Sequence, residues 1–383
     1  MDKTVPSLRQ QLEQLVASPS VSATDPKLDM GNRRVVELLG AWLETLGFNV
    51  ELMPLEGQPD KVNMIATLGT GDGGLILAGH TDTVPYDDGL WQSDPFKLEE
   101  RDNRLYGLGS TDMKGFFPLA IEAAKSFVDK PLQQPLIILA TADEETSMAG
   151  ARALVEAGRP KARCAVVGEP TGMKPIRMHK GVMMEAVRIT GHSGHSSNPA
   201  LGANALEAMH SAIGELLKLR GEWQNRYNNP GFAVPVPTMN LGCIHGGDNP
   251  NRICGFAELQ FDVRPLPGMA LADLRAELDR RLHSAVSDEK IRLEYAPLFL
   301  GTEAFEQDAQ SELVKVAEKL TGHSAGSVAF GTEAPYFKDM GIDTIVLGPG
   351  DIDQAHQPDE YLGLERIEPM VDVLRGLIAK FCL

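Results

Sequence analysis

Leu75-Ile76-Leu77-Ala78-Gly79-His80-Thr81-Asp82 is the stretch that decides how this chain folds. Unbroken apolar and small residues over 75–79 describe a strand covered on both faces, as in the parallel sheets of α/β proteins. The run stops at an imidazole and, two residues later, at a carboxylate. Open α/β sheets carry their chemistry beyond the carboxyl ends of their strands, so His80 and Asp82 are the first candidates for a site.

The pattern recurs along the chain. The apolar run 136–140 is followed by Glu144-Glu145, the run 164–167 by Glu169, and the run 344–347 by His356. Asp112 follows the loop 105–111, where a helix through Phe116, Leu119, Ala120 and Ala123 is expected to begin. Leu8, Leu12, Leu15 and Val16 form one helical stripe. Val35, Leu38, Leu39, Trp42 and Leu46 form a second that ends at Gly47, a suitable C-cap. Strands over 48–52 and 62–68 complete the first half.

From about residue 180 the patterning changes. Ala257, Leu259, Phe261 and Val263 alternate with Glu258, Gln260, Asp262 and Arg264, which describes a strand with one wet face. Ile291, Leu293 and Tyr295 alternate likewise. Two amphipathic stripes lie between such strands, Leu206, Met209, Ile213 and Leu217 in one and Leu271, Leu274, Leu278 and Leu282 in the other. The order strand, helix, strand, strand, helix, strand is that of a ferredoxin-like α+β unit. A helix near 312–320, the strand 344–347 and a closing helix near 370–381 return to the first style. The chain is therefore expected to be α/β, with a discontinuous metal-binding domain over 1–180 and 298–383 and an inserted domain over 181–297.

Composition narrows the function classes. A chain of 383 residues exceeds the usual single domain, and 43% hydrophobic against 23% charged residues is ordinary for a globular protein. No apolar run approaches a membrane span. Met1-Asp2-Lys3-Thr4 lacks the basic start of a secretory signal, so a cytoplasmic location is expected. The formal net charge of −17 opposes nucleic acid and anionic membranes as partners. Cys164, Cys243, Cys254 and Cys382 are scattered, with no spacing suited to a thiolate metal site or redox pair.

Two imidazoles and four carboxylates at strand ends match the needs of a pair of divalent cations about 3.5–4 Å apart, which share a bridging carboxylate and leave a place for water. Asp112 is the natural bridge, His80 with Glu169 could complete one ion, and Glu145 with His356 the other. Glu144 is then free for the proton transfer a metallohydrolase requires. Asp82 is expected to orient His80 by accepting its second N–H. Nitrogen and oxygen ligands without thiolate suit Zn²⁺, Co²⁺ or Mn²⁺. Taken singly, Asp112 reads as a helix N-cap and Glu144-Glu145 as a solvated helix start, and it is their conjunction that points to a metal site.

The segments GHTDTVP, GLGSTDMKG, ADEETSMAGA, VVGEP and AHQPDEY carry these residues, and in this order they resemble the motifs of the M20 metallopeptidase/deacylase family over the whole chain. The resemblance implies a two-zinc aminoacylase-like catalytic domain with an inserted ferredoxin-like dimerisation domain, hence a homodimer, and hydrolysis of the amide of a small N-acyl amino acid. It implies two divalent ions, Zn²⁺ or Co²⁺, with His80, Asp112 and Glu169 on one and Asp112, Glu145 and His356 on the other, and Glu144 as general base. Glutamate rather than aspartate at 169 favours the deacylase and carboxypeptidase branch. Where many members carry Ser/Thr-Asp-Ala, this chain has Thr332-Glu333-Ala334.

His195 matches a position that in several members reaches the neighbouring subunit's site and stabilises an oxyanion. Asn251 and Arg264 match substrate-binding positions, and Arg264 could fork onto an α-carboxylate. Gly348 and Gly350 could present N–H donors to an anion. A catalytically silent relative would have lost a ligand or the base, and this chain retains all six residues.

Overall fold

The computed structural model describes residues 4–87 and 89–383, so the signal reading of residues 1–3 lies outside the described residues. The chain divides into two compact units. The first comprises Met1–Arg177, Gln307–Gly326 and Thr332–Leu383, and the second Met178–Glu306 and Ser327–Gly331. The return of Ser327–Gly331 to the second unit is marked by no periodicity in the sequence.

The sheet of the first unit includes, in this order, Asn49–Leu55, Gln58–Leu68, Leu136–Thr141, Leu75–His80, Cys164–Val167, Asp343–Val346 and, paired at Ile176, the start of the strand Ile176–His179. Its four central strands, from Leu136–Thr141 to Asp343–Val346, are mutually parallel, and the strands beyond them are antiparallel to their neighbours. This is the mixed, largely parallel sheet that the apolar runs imply. Every residue of Leu75–His80 and of Leu136–Thr141 is buried. Because side chains alternate across a strand, Leu75 and Leu77 face one layer while Ile76 and Ala78 face the other. The first layer contains the helices Arg33–Thr45, Phe116–Ala124 and Ile367–Cys382, whose Leu39, Phe117 and Leu374 join Leu75 and Leu77 in one core.

Local sequence accounts for the helix ends. Ser7 caps Leu8–Val16 in a reciprocal box with Gln10. Gly47, at φ +85°, adopts the left-handed conformation that lets the chain leave Arg33–Thr45 and enter the first strand. The helix after Asp112 begins later than expected, at Phe116 with Gly115 as N-cap. Asp112 is therefore not a helix cap, and its carboxylate is free for other partners.

A small sheet escaped the sequence reading. Tyr361–Gly363 pairs antiparallel with Arg104–Tyr106, which pairs in turn with Glu99–Arg101. These strands have only three residues each, too short for periodicity to register.

The second unit has an antiparallel sheet in the order Thr238–Gly246, Phe256–Arg264, Met183–Thr190, Arg292–Pro297. In sequence order this is 2-3-1-4, the ferredoxin-like arrangement. Helices Ala205–Arg226 and Leu271–Ala285 share one core with it. The second helix buries Leu271, Leu274, Leu278 and Leu282 as the sequence indicates. The first helix departs from the expected stripe. It buries Ala205, Met209, Ala212, Leu216, Leu219 and Trp223, while Leu206 and Leu217 are 43% and 39% exposed. Its inward face carries small alanines against the sheet, and a pattern that follows only large apolar residues places that face about one residue, or ~100°, out of phase.

Candidate metal centre

Register places the site. His80 ends its strand opposite Thr141 on one side, and Ala78 lies opposite Val167 on the other. Glu144 and Glu145 follow Thr141 in the chain and Glu169 follows Val167, so these acids emerge beside His80 at the carboxyl ends of three adjacent parallel strands. Asp112 and His356 come from loops. The pairing of Tyr361 with Tyr106 holds the chain segments carrying these loops side by side.

His80 Nε2 lies 3.1 Å from Asp112 Oδ1 and 3.8 Å from Glu169 Oε1. His356 Nε2 lies 3.3 Å from Asp112 Oδ2 and 3.2 Å from Glu145 Oε2. The two oxygens of Asp112 thus face two different imidazoles, the disposition a bridging carboxylate requires. Ligand atoms of His80, Asp112 and Glu169 lie within 4.8 Å of one another, as do those of Asp112, Glu145 and His356. A third such grouping, His80 with Glu144 and Glu145, brings Glu144 to the same place. Glu144 is only 9% exposed, so it is no solvated helix start, and the helix that follows begins at Ala149.

The electrostatics describe a site short of positive charge. Burial pushes the Glu144 carboxyl well above its usual range and raises Glu145, with Asp112 adding to the second. Burial lifts Glu169 to about 7 against the opposing pull of His80. Burial disfavours the charged form of His80, yet Glu169 and Asp112 hold its pKa well above normal. Hydrogen bonds to Asp112 and Glu145 raise His356 to about 10. Asp112 resists burial and stays low because His356 and His80 stabilise its carboxylate. Four carboxylates around two imidazoles would be relieved by divalent cations, and the donor set of nitrogen and oxygen fits Zn²⁺ or a similar ion.

A pH dependence follows for the metal-free protein. His80, His356, Glu169, Glu144 and Glu145 all have raised pKa values in the folded state. Between the ordinary carboxyl and imidazole values and these raised ones, the folded chain holds more protons than the unfolded chain, so stability falls as pH rises. The melting temperature of chelator-treated protein is expected to decrease from pH 5 to pH 9, and added Zn²⁺ to raise it most at the alkaline end. A metal-free melting temperature that climbs across this range would contradict the charge balance described.

Asp82 takes a different part from the one expected. His80 Nδ1 meets the backbone carbonyl of Asp82 at 3.0 Å, whereas the carboxylate is 3.8 Å away. That carbonyl can fix the tautomer that leaves Nε2 for a cation. The carboxylate instead accepts the backbone N–H of Glu145 at 3.1 Å and so steadies the paired glutamates. Gly348 also differs from the anion-nest expectation: its N–H donates to Thr171 Oγ1 at 3.2 Å. A Cβ on Gly348 would lie 2.4 Å from the carbonyl oxygen of Glu169, and one on Gly350 would lie 2.5 Å from the Thr111 side chain. These glycines permit close approach to the Glu169 and Asp112 segments.

The remaining candidates lie in the second unit. His195 is exposed, and its Nδ1 accepts the Ser197 backbone N–H at 3.2 Å. The Asn251 carbonyl accepts from Ser196 N at 3.1 Å, and Arg264 Nε donates to Asp262 Oδ2 at 3.0 Å. Three further residues of the first unit support the site, of which the sequence marks only Glu333, in the Thr332-Glu333-Ala334 triplet and without a role. Asp143, at φ +63°, accepts from Ser22, Lys61, Thr146 and Ser147 and pins the turn ahead of Glu144. Glu333 is fully buried, accepts from Thr141 Oγ1 at 2.8 Å, and is pushed by burial to about 8. Glu360, 1% exposed, accepts three backbone N–H groups of the Asp112 loop. Glu360 stands in the AHQPDEY segment, but neither it nor Glu333 has ligand spacing to mark it.

Residues 76–380 match the model of peptidase family M20/M25/M40. The chain belongs to the M20 family. It is 49% identical to an acetylornithine deacetylase of Pasteurella multocida over 99% of both chains, and 50% identical to one of Edwardsiella ictaluri over 100% of both. A dinuclear metal-binding M20 peptidase of Bacillus subtilis has the same fold, with a TM-score of 0.69 at 15% identity over 97% of each chain. The M20 assignment agrees with the resemblance carried by the five sequence segments and with the mixed α/β architecture.

Proposed function

We propose that this chain is a dinuclear metal-dependent amidohydrolase that cleaves N²-acetyl-L-ornithine to L-ornithine and acetate, a step of arginine biosynthesis. The observation that carries the chemistry is the division of Asp112 between two imidazoles, at 3.1 and 3.3 Å. The substrate rests on the acetylornithine deacetylases about half identical to this chain over its full length. His80, Asp112 and Glu169 would hold one ion, and Asp112, Glu145 and His356 the other, with Zn²⁺ or Co²⁺ suited to both. When bound, such ions polarise an amide carbonyl and acidify water.

Glu144 performs the proton transfers in this reading. Its raised pKa suits a group that must take a proton from the attacking water and return it to the departing amine. Asp82 keeps His80 in register through its carbonyl and the glutamate pair through its carboxylate. His195 supplies an N–H to the oxyanion from a neighbouring subunit, leaving Nδ1 on Ser197 and using Nε2. Arg264 exchanges Asp262 for the substrate's α-carboxylate, with Asn251 holding the His195 loop. Gly348 and Gly350 shape the wall beside Glu169 and Asp112. The second unit mediates a homodimer. Its edge strand Thr238–Gly246 and the exposed Ile244 and Leu206 favour that role. The enzyme works in the cytoplasm.

A substrate panel tests the assignment. With Zn²⁺ or Co²⁺ supplied, kcat/KM is expected to be highest for N²-acetyl-L-ornithine among acetylornithine, acetylcitrulline, succinyl-diaminopimelate and simple N-acyl amino acids. A chelator should abolish turnover and added metal restore it. If acetylornithine were the poorest of the panel, the substrate assignment would be wrong while the metal chemistry stood.

A further inference from the structure

Glu360 joins the two loops that carry Asp112 and His356. The backbone between the short strand Arg104–Tyr106 and the helix Phe116–Ala124 is irregular and buried, so its N–H groups need partners that no regular ladder supplies. The Glu360 carboxylate supplies them. Its Oε2 accepts from Gly109 N at 3.0 Å, and its Oε1 accepts from Thr111 N at 2.7 Å and from Asp112 N at 2.9 Å. The main chain reinforces the junction, with Gly107 N donating to the Glu360 carbonyl at 3.1 Å and Ser110 Oγ at 3.4 Å. One residue further on, Tyr361 enters the pairing with Tyr106.

We propose that Glu360 is a positioning residue that holds Asp112 in its bridging pose and thereby sets the affinity for the ion bound by Asp112, Glu145 and His356. The proposal rests on the two-ion reading of the site. The dependence falls on this ion because two of its three ligands stand on the joined loops. His356 lies four residues before Glu360, is 53% exposed at its side chain, and adopts φ +59°. Of the other ion's three ligands only Asp112 stands on the joined loops, since His80 ends one fully buried parallel strand and Glu169 lies two residues past another. A carboxylate suits the task because it only accepts. A carboxamide in its place would aim an NH₂ group at one of the backbone donors.

The test is titration of metal-free wild type, Glu360→Gln and Glu360→Asp with Co²⁺ alone, following calorimetric heat, ligand-field absorption and stoichiometry by native mass spectrometry. Wild type is expected to take two ions. Glu360→Gln should weaken the ion held by Asp112, Glu145 and His356 by about 10–100-fold, the usual effect of losing a residue that orients ligands, and the ion held by His80, Asp112 and Glu169 by distinctly less, because only one of its ligands stands on the joined loops. Glu360→Asp, which keeps the charge on a shorter stem, should fall between them. Melting curves of the metal-free proteins separate general destabilisation from a site-specific effect. Two ions bound by Glu360→Gln at wild-type affinity, or both weakened equally, would overturn the proposal while leaving the dinuclear reading intact. Fewer than two ions in wild type would overturn that reading and the proposal with it. If Glu360→Gln fails to fold, Glu360→Asp decides on the same terms.

Discussion

Replacing Glu144 by alanine is expected to leave both ions bound and to lower kcat by about 10²–10⁴-fold, the range for loss of a positioned general base. That range corresponds to about 2.7–5.4 kcal/mol of barrier. Glu144 is the acid of the cluster that neither of the two groups sharing Asp112 requires, although its carboxylate approaches His80 and Glu145 closely enough to enter a third. Two features suit it to proton transfer. Burial lifts its pKa well above that of an ordinary glutamate, and neighbouring Glu169 and Glu145 add to the shift. The turn that presents it is pinned by Asp143 and by the Asp82 carboxylate. Metal analysis of the purified variant, beside its kcat, is the measurement. Loss of an ion from Glu144→Ala would make Glu144 a ligand and return the base to an unassigned residue.

Asp112→Ala is expected to have the largest effect on metal. It removes a ligand from both groups at once, whereas His356→Ala or Glu169→Ala removes one ligand from one group. Both affinities should therefore fall by more than the ~10–100-fold seen when only an orienting partner is lost, and turnover should drop to background. His356→Ala should retain one ion. Equilibrium dialysis against buffered Zn²⁺ reads both. The outcome contrary to this account is an Asp112→Ala protein that keeps either ion at wild-type affinity. Folding is not expected to be the casualty, because burial is the main cause that raises Glu145 and Glu169, and removing Asp112 takes away a carboxylate that adds to it.

The convergence of His80, Glu145 and Glu169 was legible because each stands just past a continuous apolar run, and parallel pairing aligns such run ends by register. The ferredoxin-like order of the second unit was legible for the complementary reason. Strict alternation in Phe256–Arg264 and the leucines of Leu271–Ala285 each expose one face to water. Where the inward residues were small, the reading slipped, as with Ala205 and Ala212 on the helix Ala205–Arg226.

What escaped were bonds from a side chain to distant backbone. Glu360 is separated from Thr111 by 249 positions, and its partners are N–H groups that every residue type carries. Asp82 stands out in the sequence beside His80, but the sequence points to its carboxylate, whereas the imidazole meets its carbonyl. Gly348 and Gly350 suggest N–H donors in the sequence, whereas their lack of a Cβ is what the packing uses. Side-chain chemistry at strand ends is visible in sequence. The steric and main-chain relations that hold it in place depend on the assembled fold.

The claim that joins these observations is that Asp112 bridges two ions. Anomalous diffraction at the zinc edge from crystals of the Zn²⁺-loaded protein tests it most directly. The expected map has two peaks about 3.5–4 Å apart, with Asp112 between them, His80 and Glu169 on one, and Glu145 and His356 on the other. A single peak, or two peaks without Asp112 between them, would contradict it.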